Sequence, residues 1–112
     1  MTTLYLDLET YSTVPITSGT HAYAEKAEVM LFAWAIDDGP VNIWDCTTNK
    51  NGVVRVPIDL LEALEDPDVL ICAHNSHFDR TILRHAAPCK AAKAAAQDRK
   101  STRLNSSHSR AS

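Results

Sequence analysis

Six residues near the start of the chain, Leu4-Tyr5-Leu6-Asp7-Leu8-Glu9, place a leucine at every second position and a polar or aromatic side chain between. In a strand successive side chains point to opposite faces, so this pattern specifies a β-strand with one apolar face and one face carrying Asp7 and Glu9. A strand that buries three leucines needs partners on both its edge and its face. The remaining text supplies them. Glu28 to Ile36 is a nearly continuous apolar run, the Asp37-Asp38-Gly39-Pro40 sequence is a turn, and Val41 to Cys46 has strand composition, which together predict a hairpin. Pro57 to Glu65 predicts a short helix with Pro57 at its first position, Leu60, Leu61 and Leu64 on one face, and Pro67 as its stop. Val69 to Ala73 suits a buried parallel strand. Ser76 is placed to cap a final helix with Phe78, Ile82 and Leu83 inward, ending before Pro88. The expected order is β-β-β-α-β-α, an α/β mixed sheet with at least one covered face. Thr10 to Lys26 reads as a long loop with a helical turn around Tyr23 to Lys26.

The chain has 112 residues, 45% hydrophobic and 22% charged, which allows one core and excludes wholesale disorder. The net charge of −3 conceals an asymmetry. Residues 1–88 carry five basic residues against thirteen acidic ones, a net of −8, whereas residues 89–112 carry six against one, a net of +5. After Pro88 the only large aliphatic residue is Leu104, so 1–88 is expected to be the globular unit and 89–112 a non-globular basic tail. The wording from Asp98 to His108 resembles a translated vector read-through, and its rival reading is a nucleic-acid-binding arm. No apolar run nears the roughly 18 residues of a membrane span, and the acidic start lacks a signal peptide's basic region, so a cytoplasmic location is expected. Cys46, Cys72 and Cys89 form no C-x-x-C pair and read as reduced thiols. Phosphate-binding glycine loops are absent.

Asp7 and Glu9 share a strand face at close range, and their repulsion would be relieved by a hard divalent cation with oxygen preference. A solvated polar strand end is the plain alternative. Asp79, on the first turn after the strand Val69 to Ala73, lies where ligands gather in open α/β sheets. It equally fits a capping box, Ser76-x-x-Asp79, in which it only accepts a backbone N–H. A zinc site from Cys72, His74, His77 and His21 has the residue types but not a standard spacing.

Asp7-Leu8-Glu9-Thr10 together with Ala73-His74-Asn75-Ser76-His77-Phe78-Asp79 resembles the first two motifs of the DEDD 3'-5' exonucleases, of the ribonuclease H-like fold. The wording Tyr11-Ser12, Tyr23-Ala24-Glu25 and Leu31-Phe32-Ala33-Trp34 extends the resemblance, over residues 3 to 86, to the proofreading exonuclease region of phage-type family A DNA polymerases. The resemblance implies that Asp7, Glu9 and Asp79 bind two Mg²⁺ or Mn²⁺ ions. It implies that Thr10, Tyr11, Asn75 and Phe78 contact nucleic acid, that the substrate is a single-stranded DNA 3' end, and that a polymerase domain accompanies the region. Two such ions, ~3.5 to 4 Å apart, activate water and stabilise the leaving oxygen. Lys26, Arg80 and Arg84 are candidates along the phosphate path. The family's third motif, Tyr-x-x-x-Asp or His-x-x-x-x-Asp, has no match, because Asp98 is the only acid after Asp79 and is preceded by Ala94 and Lys93 at those offsets. The expectation is therefore a fragment ending before the last strand and helices, inactive by itself; the alternative is a non-catalytic ribonuclease H-like binding or scaffold module.

Overall fold

The computed structural model describes residues 2–48, 54–98 and 103–104. The alternating N-terminal segment forms β1 (Thr3–Ser12), three residues longer than the alternation requires. A single 3-10 turn at Ile16–Ser18 and the short helix α1 (Thr20–Glu25) occupy the expected loop. The hairpin follows as β2 (Ala27–Ile36) and β3 (Asn42–Asp45), both antiparallel to their neighbours. Its turn is tightened by Asp37, which adopts φ 51° and exchanges backbone and side-chain hydrogen bonds with Thr3.

From β3 the chain crosses β2 and β1 through α2 (Ile58–Glu65) and returns as β4 (Leu70–Ala73), parallel to β1. Pro57 caps α2 from outside rather than occupying its first turn. Helix α3 (Ser76–Ala86) follows, then α4 (Lys90–Asp98) and the two-residue strand β5 (Arg103–Leu104) beside β4. The sheet order is β3-β2-β1-β4-β5. The mixed α/β class and the β-β-β-α-β-α backbone of the fold are as expected, with α1 and α4 added.

The core lies on the face of β1 that carries Leu4, Leu6 and Leu8, all buried. Phe32, Trp34 and Trp44 extend it across the hairpin, and α2 closes it with Leu60, Ala63 and Leu64 at helical spacing. Helix α3 adds Ile82 and Leu83. On the opposite sheet face Val41 and Ile43 stay exposed.

Residues 90–98, expected within the basic tail, form α4, which buries Ala92, Ala95 and Ala96 in the same core as Leu6 and Leu64. Small side chains at i, i+3 and i+4 let the helix approach closely without bulk, so a segment without large aliphatics still contributes a packed face. The rest of that segment, 99–102 and 105–112, lies outside the described residues. Among the described residues no helix is long and apolar enough to cross a membrane.

Candidate active site

Strands β1 and β4 run parallel only as far as Leu6 and Ala73, after which β4 turns into α3 while β1 continues to Ser12. The junction is fixed by the His74 N–H donating to the Leu6 carbonyl at 3.0 Å. Asp7, Glu9 and Thr10 therefore overhang the sheet edge at which α3 begins. Leu8 is buried, and Asp7 and Glu9 are exposed on the opposite side of the strand, as the alternation required. A register shift between Glu9 and Thr10 marks the point where β1 bends past that edge.

Asp79 sits one turn into α3 and is among the most deeply buried side chains of the chain, at 2% exposure. Its Oδ2 accepts the Asn75 backbone N–H at a long 3.4 Å. Asn75, not Ser76, is the N-cap of α3; Ser76 lies inside the helix and caps nothing with its side chain. The capping role expected of Asp79 thus survives in altered form, one residue earlier. Burial pushes the Asp79 carboxyl up to about 7; the Asn75 N–H lowers it, and the negative charge of Asp7 raises it further. The Asp7 charge thus reaches Asp79, as the smallest of the three influences on it.

One tyrosine, Tyr23, touches residues next to the carboxylates on both β1 and α3. Tyr23 of α1 shares a hydrogen bond between its phenol and Thr10 Oγ1 at 2.9 Å, and its carbonyl accepts the Ser12 hydroxyl at 2.8 Å. Its ring packs on Phe78 with centroids 5.8 Å apart. Thr10 and Phe78, expected to contact nucleic acid, are therefore both half-buried against Tyr23, whereas Asn75 and Tyr11 are exposed, Tyr11 by 55%. Lys26 is exposed, Arg80 is half-buried beside Asp79 in a small cavity with Leu6, and the Arg84 Nε donates to the Ala96 carbonyl of α4 at 3.4 Å. The sequence marked Tyr23 only as part of the resemblance, in Tyr23-Ala24-Glu25, because its contacts to Thr10 and Phe78 are set by tertiary packing and not by spacing.

The donors at this corner are hard oxygens, which suits Mg²⁺ or Mn²⁺ in type. Among the described residues, however, no group of three or more His, Cys, Asp or Glu side chains is arranged to hold a metal. The residues of the weaker zinc alternative are not brought together either: Cys72 is buried in β4, His74 and His77 are exposed, and His21 packs edge-on against His85. Cys46, Cys72 and Cys89 are all thiols.

Most of the chain is similar in sequence to a known protein. Over 86 residues the chain is 38% identical to the DNA polymerase of Bacillus phage SP02, an alignment that takes in 74% of this chain and 13% of the phage protein. The chain thus spans a small part of the relative it matches. No family model matches the chain, and no solved structure matches it. The similarity makes this a polymerase-related region of α/β fold.

Proposed function

We propose that this region is the 3'-5' exonuclease portion of a phage-type DNA polymerase, of ribonuclease H-like fold, acting on a single-stranded DNA 3' end. The observation that carries the reading is the meeting of Asp7 and Asp79 at the sheet edge, where a buried carboxyl feels the charge of a second one from a different element. Structural carboxylates gain nothing from such repulsion, whereas a cation-binding pair does. The similarity to a phage DNA polymerase supports the context.

In this reading Asp7 and Asp79 hold Mg²⁺ or Mn²⁺, with Glu9 recruited from the same strand face. The bound ions would activate water and stabilise the leaving 3' oxygen. Exposed Asn75 and Tyr11 flank the corner and meet the terminal nucleotide, Tyr11 by stacking. Thr10 and Phe78 act from behind, through Tyr23. At neutral pH Asp79 is divided between its acid and its carboxylate, so metal uptake releases a proton.

The test is Mn²⁺ titration of the 112-residue chain by calorimetry, with a fluorescent single-stranded DNA carrying a free 3' end added afterwards. Expected are Mn²⁺ binding that Asp7→Ala and Asp79→Ala each abolish, and DNA binding that Mn²⁺ strengthens. A chain that takes up no Mn²⁺, or an Asp7→Ala variant that binds it unchanged, refutes the assignment. A second reading, a non-catalytic nucleic-acid-binding module, is favoured by the lack of a three-ligand group among the described residues and of a third carboxylate motif in the sequence. It requires DNA binding that is indifferent to Mn²⁺ and to Asp7→Ala.

A further inference from the structure

We infer that Tyr23 is a positioning residue for the carboxylate corner, tying the Asp7-Glu9 end of β1 to the Asp79 turn of α3 through one side chain. The inference rests on the metal-binding reading of that corner. Thr10 immediately follows Glu9 and Phe78 immediately precedes Asp79, and Tyr23 touches both: its phenol bonds Thr10 at 2.9 Å and its ring lies 5.8 Å from that of Phe78.

The geometry leaves little else to set this spacing. Beyond Leu6, β1 has lost its pairing with β4, and only β2 borders its overhang. The first turn of α3 is tied only by the long 3.4 Å bond from the Asn75 N–H to Asp79 Oδ2, and Asn75 itself makes no side-chain cap hydrogen bond. Helix α1 fills the gap between the two: Ala24 is fully buried, the Tyr23 carbonyl holds the Ser12 hydroxyl, and that hydroxyl in turn accepts the Val14 N–H at 3.1 Å. His21 adds a second contact to α3 through the His85 ring. A short helix bonded to the strand on one side and stacked on the helix on the other acts as a spacer. Carboxylates carried on separate elements need such a spacer, because metal affinity depends on ligand placement by supporting contacts.

The experiment is Mn²⁺ calorimetry on the 112-residue chain with Tyr23→Phe, Thr10→Val, their double variant, Tyr23→Leu, and Leu60→Val as a stability control in α2. Tyr23→Phe keeps the ring on Phe78 and deletes only the phenol bond. It is expected to weaken Mn²⁺ binding about fivefold, the scale of one hydrogen bond. Thr10→Val should do the same, and the double variant no more than either, since both delete one interaction. Tyr23→Leu, which also loses the ring contact, should weaken binding further, and Leu60→Val should lower the melting temperature without changing affinity. Unchanged affinity in Tyr23→Phe, additive losses in the double variant, or an affinity loss in Leu60→Val that tracks its melting temperature would each overturn the positioning role while leaving the metal site standing. A wild-type chain that takes up no Mn²⁺ overturns the site and the positioning role together, a pattern distinct from the other three.

Discussion

Replacing Asp79 by Asn should change how the stability of the chain depends on pH. The Asp79 carboxyl ionises ordinarily at 3.8 and here at about 7, chiefly because it is buried. A raised carboxyl pKa means the folded chain holds the proton more tightly than the unfolded one. Below about pH 4 both states are protonated and nothing is lost. As pH rises from there the unfolded state ionises first, and stability falls until the folded carboxyl has also ionised, above about pH 7 to 8. A shift of roughly three pKa units corresponds to about 4 kcal/mol in all, of which somewhat more than half falls between pH 5 and pH 8. Asn has no charge to bury, and its side-chain oxygen can still accept the Asn75 N–H. Urea unfolding of wild type and Asp79→Asn, followed by far-UV circular dichroism at pH 5, 6, 7 and 8 and fixed ionic strength, isolates the effect because every other titrating group is common to both. The variant should gain about 2 to 3 kcal/mol on wild type across that range. A stability difference that does not vary with pH would mean that Asp79 ionises like a solvated carboxylate, and the buried corner would not exist as described.

Asp7→Asn should lower the Asp79 pKa measured by carbon-13 NMR, since the Asp7 charge raises it; no change would separate the two carboxylates. With the metal reading correct, Mn²⁺ should stabilise the wild-type chain more at pH 8 than at pH 5, and a chelator should reverse the gain; equal stabilisation at both would argue for binding elsewhere. Ala92→Asp, at a fully buried position of α4, should cost about 2 to 4 kcal/mol in urea unfolding, and a cost near zero would return residues 90–98 to the status of a loose tail. The Cys46 thiol, pushed up to about 12 by burial and then by Cys89 and Asp45, should resist iodoacetamide at pH 8 in the native chain and react only on unfolding. Labelling as fast as in a short peptide would show that it is not buried.

The parts of this fold that were legible in the sequence are those governed by a local period. Leu4, Leu6 and Leu8 repeat every second residue and are buried; Leu60 and Leu64 repeat at helical spacing and are buried. Asp7 and Glu9 needed no tertiary information to be placed on one exposed strand face. Boundaries were less legible because they depend on single hydrogen bonds: β1 runs on to Ser12 because β2 continues to pair with it, and Asn75 takes the cap from Ser76 because the backbone turns one residue earlier. Helix α4 was hidden by chemistry, since alanine marks an apolar face too weakly for composition to report it, yet its small size is what allows α4 to reach the core. Asp79 shows the limit most clearly. Its identity as a first-turn acid could be read from spacing, but its burial beside Leu6 and Leu64 is created by tertiary packing, and that burial is the main cause of its elevated proton affinity, to which a charge seventy-two positions away adds. A residue whose chemistry is set by two elements brought together by a crossover has no local signature, and the same holds for Tyr23, which joins them.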